Sequence, residues 1–190
     1  MASGYQPARG SVMPSFTKLV HVPQKQWIPN SASEDGDSLA PFASIPFVFI
    51  NPAVKGPGKV SPGVPLAYIT AQSENANLGN IMVDVGEKVF NDAYRAYLRV
   101  LWPGYEHVEF VTSIPLKTVT GRINRGQVAQ FVVKTMTQYF VRLQTQHCLP
   151  TQKVWAVAPV GRWRVEDLVL VALHLVHGNT FQAEFKVNTE

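Results

Sequence analysis

The sequence predicts an α+β domain in which an antiparallel or mixed β-sheet carries two amphipathic helices on one face. Residues 181–187 alternate apolar and polar side chains, the pattern of a strand with one face on a core and the other in water. Two longer stretches, 89–101 and 128–143, repeat apolar residues at intervals of three and four, which is typical of amphipathic helices. Predicted strands precede, separate and follow these helices, so the elements are expected to form layers around one core.

Length and composition suit one such domain with an N-terminal arm. The chain has 190 residues, of which 46% are hydrophobic, an ordinary value for a globular protein. Residues 1–40 contain four prolines and no sustained apolar period, so we predict an extended or disordered arm there and a single domain at 41–190. Four apolar residues of the arm are candidates for docking on this chain or on a neighbouring subunit: Val20, Val22, Trp27 and Ile28.

The first half of the domain is predicted to contain three strands and one helix. Residues 45–50 are mainly aromatic and β-branched and are predicted to form the first strand. Residues 51–65 hold four prolines and three glycines, too many for either regular element, so they are predicted to form a surface loop. Residues 66–70 are predicted to form a second strand, and the helix at 89–101 is followed by a strand at 108–112.

The second half of the domain is predicted to contain one helix and three strands. Asn124 is a good N-cap for a helix whose apolar face runs to Leu143 and which His147 and Cys148 close. Residues 154–158 are predicted to form a strand. Residues 165–176 are apolar on both faces, which fits a central strand or a buried helix, and their valines favour the strand. The turn at 177–179 then joins this strand to the C-terminal strand as a hairpin.

Charge and cysteine content restrict the partners and cofactors. The net charge is +4, but charged residues make up only 16% of the chain, and no three basic residues are consecutive. Nucleic-acid binders concentrate positive charge, because affinity depends on neutralising neighbouring phosphates, so the composition gives such a partner little support. Cys148 is the only cysteine, which excludes an intrachain disulfide and a zinc site built from cysteines of one chain. No metal or cofactor is predicted.

The sequence also lacks the usual signals for membranes and secretion. Its start has no charged segment followed by an apolar one, so no secretory signal peptide is expected. The longest apolar run, residues 168–173, is far too short to span a bilayer. We therefore expect an intracellular protein, cytoplasmic or nuclear, with no membrane partner.

Three predicted binding residues lie at the start of the second helix. Arg122, Asn124 and Arg125 lie at a helix N-terminus, where the helix dipole and unpaired amides attract anions. The alternative is that Asn124 only caps the helix while the arginines are solvated or pair with local carboxylates.

The other three predicted binding residues are consecutive. Arg162, Trp163 and Arg164 combine an indole with two guanidinium groups, which suits stacking on a partner and is a common composition for interface hot spots. In the alternative interpretation Trp163 covers the core while the two arginines extend into water.

Residues suited to catalysis are present but scattered. In a strand, His107 and Glu109 would share one face, the minimum for an acid–base pair or a metal site. Further groups would have to come from elsewhere, and the candidates are His174, His177 and Glu184. Cys148 follows His147 directly, and adjacent helical side chains point about 100° apart, so the two do not form a nucleophile–base pair. No catalytic residue is therefore assigned.

Two segments carry a resemblance to known sequences. Residues 123–130, ahead of the second helix, and residues 168–187, the C-terminal hairpin, resemble uncharacterised proteins of mushroom-forming fungi. The resemblance spans roughly residues 85–188. It implies a fungal setting and no fold name, activity or site residue.

These features favour a non-catalytic binding or assembly module. An ample core without a converging reactive set predicts that the chain binds a protein partner or itself, through the arm, the Arg162–Arg164 loop and exposed edge strands. Two alternatives are a small enzyme with a histidine–glutamate pocket and a nucleic-acid or phospho-ligand binder that uses four arginines: Arg122, Arg125, Arg162 and Arg164.

Overall fold

The computed structural model describes residues 18–29, 44–56, 59–72, 75–90, 93–119 and 121–189. The strands are β1 (Leu19–His21), β2 (Ser44–Pro46), β3 (Val48–Ile50), β4 (Val60–Pro62), β5 (Val64–Pro65), β6 (Tyr97–Val100), β7 (Phe110–Ser113), β8 (Lys117–Thr118), β9 (Gly121–Arg122), β10 (Leu168–His177) and β11 (Thr180–Asn188). The helices are α1 (Leu66–Ala71), α2 (Asn75–Leu78) and α3 (Arg125–Leu143), with two 3-10 helices at Pro150–Trp155 and Val165–Asp167.

The β10–β11 hairpin is the centre of the main sheet, as the sequence predicts. The two strands are antiparallel, with Leu170 opposite Phe185 and Leu173 opposite Ala183. Gly178 in the turn has a φ of 52°, a conformation that glycine adopts without strain. The strand interpretation of residues 165–176 is therefore confirmed over Leu168–His177.

The sheet is mixed and has two different faces. Its strand order is β2-β10-β11-β6-β7, with β5 also beside β10 and β1 also beside β11. All pairings are antiparallel except β11 with β6. On β11, Phe181 and Phe185 are buried on the core face, whereas Glu184 and Lys186 lie on the opposite, outer face. The predicted α+β class and mixed sheet are confirmed.

Helix α3 covers the core face of the sheet. A reciprocal capping box starts it: Gln127 N donates to Asn124 Oδ1 over 2.9 Å, and Asn124 N donates to Gln127 Oε1 over 3.0 Å. Its buried stripe includes Tyr139, whose ring centroid is 5.2 Å from that of Phe110 on β7. Residues 125–143 thus form the second amphipathic helix that the sequence predicts, but the helix ends at Leu143, so His147 and Cys148 lie beyond it rather than at its end.

The prediction of a first amphipathic helix at residues 89–101 is wrong. Residues 97–100 form β6, which lies between β11 and β7. Tyr94, placed on the apolar stripe of the predicted helix, is 97% exposed. The burial has a period of two, because the side chains at every second position are at most 1% exposed: Ala96, Leu98, Val100 and Trp102. Pairing on both sides of β6 therefore overrides the helical spacing.

Three shorter predictions are also corrected. Residues 66–70 belong to α1, whose Leu66 and Ile69 are buried one helical turn apart. Residues 154–158 form no strand, because the 3-10 helix beginning at Pro150 occupies part of them. Within the predicted loop 51–65, β4 and β5 are short strands separated by Gly63. Gly63 has a φ of 87°, and a Cβ there would lie 2.7 Å from a Val169 methyl, so the turn requires glycine.

The predicted arm is described only over residues 18–29, which lie against the sheet; residues 1–17 and 30–40 are outside the described residues. The segment runs alongside β11: Val20 lies opposite Val187, and Val22 N donates to Phe185 O over 3.0 Å. Val22 is buried, Trp27 is partly buried, and Ile28 is 68% exposed. In the part of the chain that the structure describes, no helix is long and apolar enough to cross a membrane.

Candidate functional site

Residues 144–164 connect α3 to the second 3-10 helix and form a surface that we call the basic lobe. The lobe is fixed to the core by three tryptophans. Trp102 Nε1 donates to Trp155 O and Trp163 Nε1 donates to Val154 O, each over 2.7 Å. The ring centroids of Trp155 and Trp163 are 5.7 Å apart at an interplanar angle of 23°. This scaffold holds the lobe in a defined shape although it contains little regular structure.

The Arg162–Arg164 loop combines a buried indole with two exposed cations. The Arg162 Cζ lies 4.8 Å from the centroid of the Trp163 ring, a cation–π contact. Trp163 is only 4% exposed, with Trp155 stacked on it, so little of its indole is available to a ligand. Arg162 and Arg164 are both exposed. Trp163 thus supports the loop, and the two guanidinium groups are the parts that a partner can reach.

Aliphatic side chains extend from the same lobe into solvent. Val154 is 70% exposed, Val160 is 88% exposed and Leu149 is 41% exposed. Val154 and Val160 do not fold back onto the core, because hydrogen bonds hold the backbone around them: Val154 O accepts from Trp163, and Gly161 N donates to Val157 O over 2.8 Å. Exposed aliphatic side chains on a rigid segment are a feature of binding surfaces.

A cavity of about 460 Å³ opens between the lobe and the C-terminal end of α3. Leu143, Ala156, Val157 and Val160 form an apolar wall. The polar residues Gln144, Thr145, Gln146 and His147 also line the cavity, together with Lys153. A cavity of this size accommodates one large side chain or a small molecule.

The charge of the lobe is entirely positive. Residues 144–164 contain no aspartate or glutamate. Lys153, Arg162 and Arg164 are exposed, and none of them belongs to the ion pairs formed among the described residues. The carboxyl groups nearest in sequence are Glu166 and Asp167, and Asp167 Oδ2 accepts from Arg164 N over 2.8 Å. An acidic partner would therefore meet three available cations.

The thiol at the cavity is unsuited to nucleophilic chemistry. Burial raises the pKa of the Cys148 thiol, an effect only partly offset by its hydrogen bond with Tyr105. Burial also raises the pKa of the Tyr105 hydroxyl. Cys148 Sγ lies 3.4 Å from Gln152 O. Both groups stay protonated near neutral pH, so the cavity holds no thiolate.

The predicted anion site at the start of α3 has no free amide in the first turn. Arg125 N donates to Glu87 O, Gly126 N donates to Val85 O, and Gln127 N donates to the Asn124 side chain. These bonds occupy the groups that would hold an anion at a helix N-terminus.

The arginines at the start of α3 are also engaged with the protein. The Arg125 guanidinium is buried and donates to Pro46 O and to the Glu87 carboxylate. Arg122 Nη1 donates to Phe90 O over 2.9 Å. Asn124, Arg125 and the Arg122 guanidinium thus serve the local structure.

The two predicted arginine pairs lie at opposite ends of α3. Arg125 begins the helix, whereas Gly161, next to Arg162, lines the cavity with Leu143 at the helix end. A helix of 19 residues is about 28 Å long. The four arginines therefore do not form one continuous surface.

The predicted histidine–glutamate pocket is also not assembled as a unit. Glu109 Oε1 pairs with Arg99 Nη1 at 2.5 Å, and His107 stacks on Tyr105. His174 pairs instead with Glu184, at 2.8 Å between Nε2 and Oε2. Among the described residues, no group of three or more histidine, cysteine, aspartate or glutamate side chains is placed to hold a metal ion.

Sequence reasoning missed the part of the site that depends on tertiary structure. Val154 was assigned to a strand, and neither Lys153 nor Val160 was assigned to a site, so their exposure was not anticipated. One signal was available: a segment of 21 residues, 144–164, with three basic residues and no acidic one.

Comparisons with protein-family models, with curated proteins and with solved structures found no match.

Proposed function

We propose that this chain is a non-catalytic binding module that docks an acidic segment of a partner protein on the basic lobe. In this proposal one apolar side chain of the partner enters the 460 Å³ cavity, and carboxylates beside it meet Lys153, Arg162 and Arg164. The observation that carries the proposal is the coincidence of a cavity with an apolar wall, exposed aliphatic side chains and three exposed cations on one rigid segment. Interfaces commonly depend on such a buried anchor surrounded by polar contacts.

Two features favour a protein segment over a nucleic acid. Single-stranded nucleic acids bind through aromatic faces on which bases stack, and the Trp163 face is already covered by Trp155 and Arg162. The exposed aliphatic residues Val154 and Val160 match an apolar protein side chain better than a phosphate backbone.

The same surface supports binding rather than catalysis. Catalysis needs a nucleophile or a general base within hydrogen-bond reach of a reacting group. The thiol at the cavity stays protonated because its pKa is raised, and Lys153 is exposed rather than desolvated. Lys153 therefore serves recognition in this proposal.

Selection from a displayed random peptide library tests the proposal without assuming a partner. We expect enrichment of peptides with aspartate or glutamate around one large apolar residue. A selected peptide should bind the double variant Lys153→Glu/Arg162→Glu at least about tenfold more weakly, because two attractive contacts become repulsive. The matched control is Lys134→Glu, which reverses one exposed charge on α3 away from the lobe and should leave the dissociation constant unchanged.

Two results would overturn the proposal. One is the enrichment of peptides without acidic residues, or of peptides that bind the double variant as well as the parent chain. The other is tighter binding of a mixed-sequence single-stranded oligonucleotide than of any selected peptide, lost in the same double variant.

Self-association is a second candidate, favoured by the edge of the sheet. Among the described strands β7 pairs only with β6, so its other edge carries unpaired backbone groups, and Val111 on it is 42% exposed. Antiparallel pairing of two β7 strands would extend the sheet across a two-fold axis. Light scattering after size-exclusion chromatography should show a dimer that Val111→Lys converts to a monomer. A parent chain that is monomeric at all concentrations contradicts this candidate.

A further inference from the structure

The densest acidic cluster of the chain lies in residues 30–43, which we call the acidic segment. Glu34, Asp35 and Asp37 fall within four positions, and no other stretch of four residues in the sequence holds three acidic ones. The acidic segment contains no lysine, arginine or histidine, and it includes two large apolar residues, Leu39 and Phe42. It lies outside the part of the chain that the structure describes, but the residues on both sides of it are described.

The acidic segment and the basic lobe are complementary in charge and in apolar content. The lobe has three exposed cations and no aspartate or glutamate, whereas the segment has three acidic residues and no basic one. Leu39 follows Asp37 by two residues, so an apolar side chain and carboxylates occur together in the segment. The lobe likewise combines a cavity with an apolar wall and exposed cations beside it. The segment therefore has the composition that the lobe is suited to bind.

Both ends of the acidic segment are attached to one place on the β10–β11 hairpin. On the N-terminal side, Trp27 N donates to Gln182 Oε1 over 3.1 Å. On the C-terminal side, Ser44 in β2 lies opposite His174. His174 and Gln182 are themselves opposite each other in the hairpin. The segment therefore leaves the fold and returns to it at the same level of the sheet.

This attachment is far from the cavity of the same chain. The Arg125 guanidinium at the start of α3 donates to Pro46 O, two residues after Ser44. Leu143, at the other end of α3, lines the cavity. The helix has 19 residues and is about 28 Å long. Leu39 is five residues from Ser44, and five fully extended residues span at most about 18 Å. Leu39 therefore falls short of the cavity of its own chain.

We propose that the partner of the basic lobe is the acidic segment of a second copy of this chain. This inference rests on the proposed function, because it names the partner of the same site. Leu39 of one copy enters the cavity of the other, and Glu34, Asp35 and Asp37 meet the cations of the lobe. Each copy carries one segment and one cavity, so two copies can exchange segments reciprocally and close a two-fold dimer.

Charge reversal on each side of the contact tests this inference in the full chain. Sedimentation velocity should show a dimer of the parent chain. The dimer should dissociate at least about tenfold more readily in the segment variant Glu34→Lys/Asp35→Lys and in the lobe variant Lys153→Glu/Arg162→Glu, because attraction becomes repulsion. An equimolar mixture of the two variants should recover the dimer, since each segment then faces a lobe of opposite charge. Recovery also shows that both variants are folded.

Three further variants separate the parts of the contact. Leu39→Asp removes the apolar anchor and should also weaken the dimer at least about tenfold. Lys134→Glu reverses one exposed charge on α3 away from the lobe and is the matched control. Val111→Lys changes the free edge of β7 and should leave this dimer unchanged, which distinguishes segment exchange from pairing of two β7 strands.

The alternatives have distinct outcomes. If the parent chain is monomeric while selected acidic peptides bind the lobe, the inference is overturned and the proposed function stands with a different partner. If a monomeric segment variant binds such a peptide more tightly than a monomeric parent does, the segment occupies the cavity of its own chain, and the second copy is overturned. A dimer that only Val111→Lys dissociates also overturns the inference. If no acidic peptide binds the lobe and both charge reversals leave self-association unchanged, the proposed function and the inference fail together.

Discussion

Arg125 and Glu87 form an ion pair that joins the start of α3 to the turn around Glu87, 38 residues earlier in the chain. The pair links Arg125 Nη2 with a Glu87 carboxylate oxygen, and the Arg125 guanidinium also donates to Pro46 O. The backbone adds a third connection, since Arg125 N donates to Glu87 O over 2.8 Å. Arg125 thus ties together the helix, the turn and β2, whose carbonyl it contacts.

Replacing Arg125 should therefore destabilise the fold more than replacing Arg122. Arg125→Ala removes two charge-assisted bonds at a buried site, and we expect a loss of about 2 kcal/mol in the free energy of unfolding. Arg125→Lys should recover less than half of this loss, because one ammonium does not reproduce the guanidinium fork. Arg122→Ala should change stability by about 0.5 kcal/mol or less. Urea denaturation measures all three, and equal losses for Arg122→Ala and Arg125→Ala would contradict the buried role.

At the Arg162–Trp163 contact, we expect Trp163 to contribute mainly to stability and Arg162 mainly to binding. Trp163→Ala removes a buried indole and its bond to Val154 O, so the unfolding free energy should fall by about 3 kcal/mol. Arg162→Ala removes an exposed cation–π contact, with an expected loss of about 0.5 kcal/mol. The peptide affinity of the Arg162 variant should nevertheless drop. A Trp163→Ala protein as stable as the parent would show that the indole does not support the lobe.

The error at residues 89–101 shows which part of the fold local periodicity cannot determine. Apolar residues are so frequent there that one stretch satisfies two periods: Val89, Tyr97 and Leu101 fit a helix, while Leu98 and Val100 fit a strand. The outcome depends on β11 and β7, which supply hydrogen bonds on both sides of β6. By contrast, α3 and the C-terminal hairpin carry their own start and turn signals and were predicted correctly.

The site residues also include some that local sequence can indicate and some that depend on tertiary structure. The Arg162–Arg164 loop, which was selected on composition, lies on the basic lobe. Arg125 has the same charge, but its partner Glu87 lies 38 residues away, and no spacing rule connects the two. Glu184 likewise meets His21 only because β1 pairs with β11.

Cys148 should react as a slow, protonated thiol. Burial raises its pKa above the ordinary 9.0, so the rate of alkylation by iodoacetamide should rise with pH to a midpoint above that value. A cysteine introduced at exposed Gln138 in a Cys148→Ser background is the control, and its midpoint should be lower. Mass spectrometry of the alkylated protein measures both profiles. A midpoint for Cys148 below that of the control would instead indicate a lowered pKa and a reactive thiolate at Cys148.

Asp167 should make stability depend on pH in the opposite direction to an ordinary paired carboxylate. Burial raises the pKa of its carboxyl above the ordinary 3.8, and the bond from Arg164 N and the neighbouring arginines only partly offset this effect. Between pH 3.8 and the higher folded pKa, the folded state binds more protons than the unfolded state. The contribution of Asp167 to stability is therefore lost as the pH rises through this window. Above the window, the titration of Asp167 no longer changes the free energy of unfolding.

Asp167→Asn removes this titration while retaining an acceptor for Arg164 N. The unfolding free energy of the variant minus that of the parent should rise with pH from 3.8 upwards and reach a plateau by neutral pH. Glu166→Gln, which removes an exposed carboxylate from the same turn, is the matched control for the loss of one charge. Urea denaturation at a series of pH values gives the two curves. A difference for Asp167→Asn that falls as the pH rises would mean that hydrogen bonding to Arg164, rather than burial, dominates the environment of Asp167.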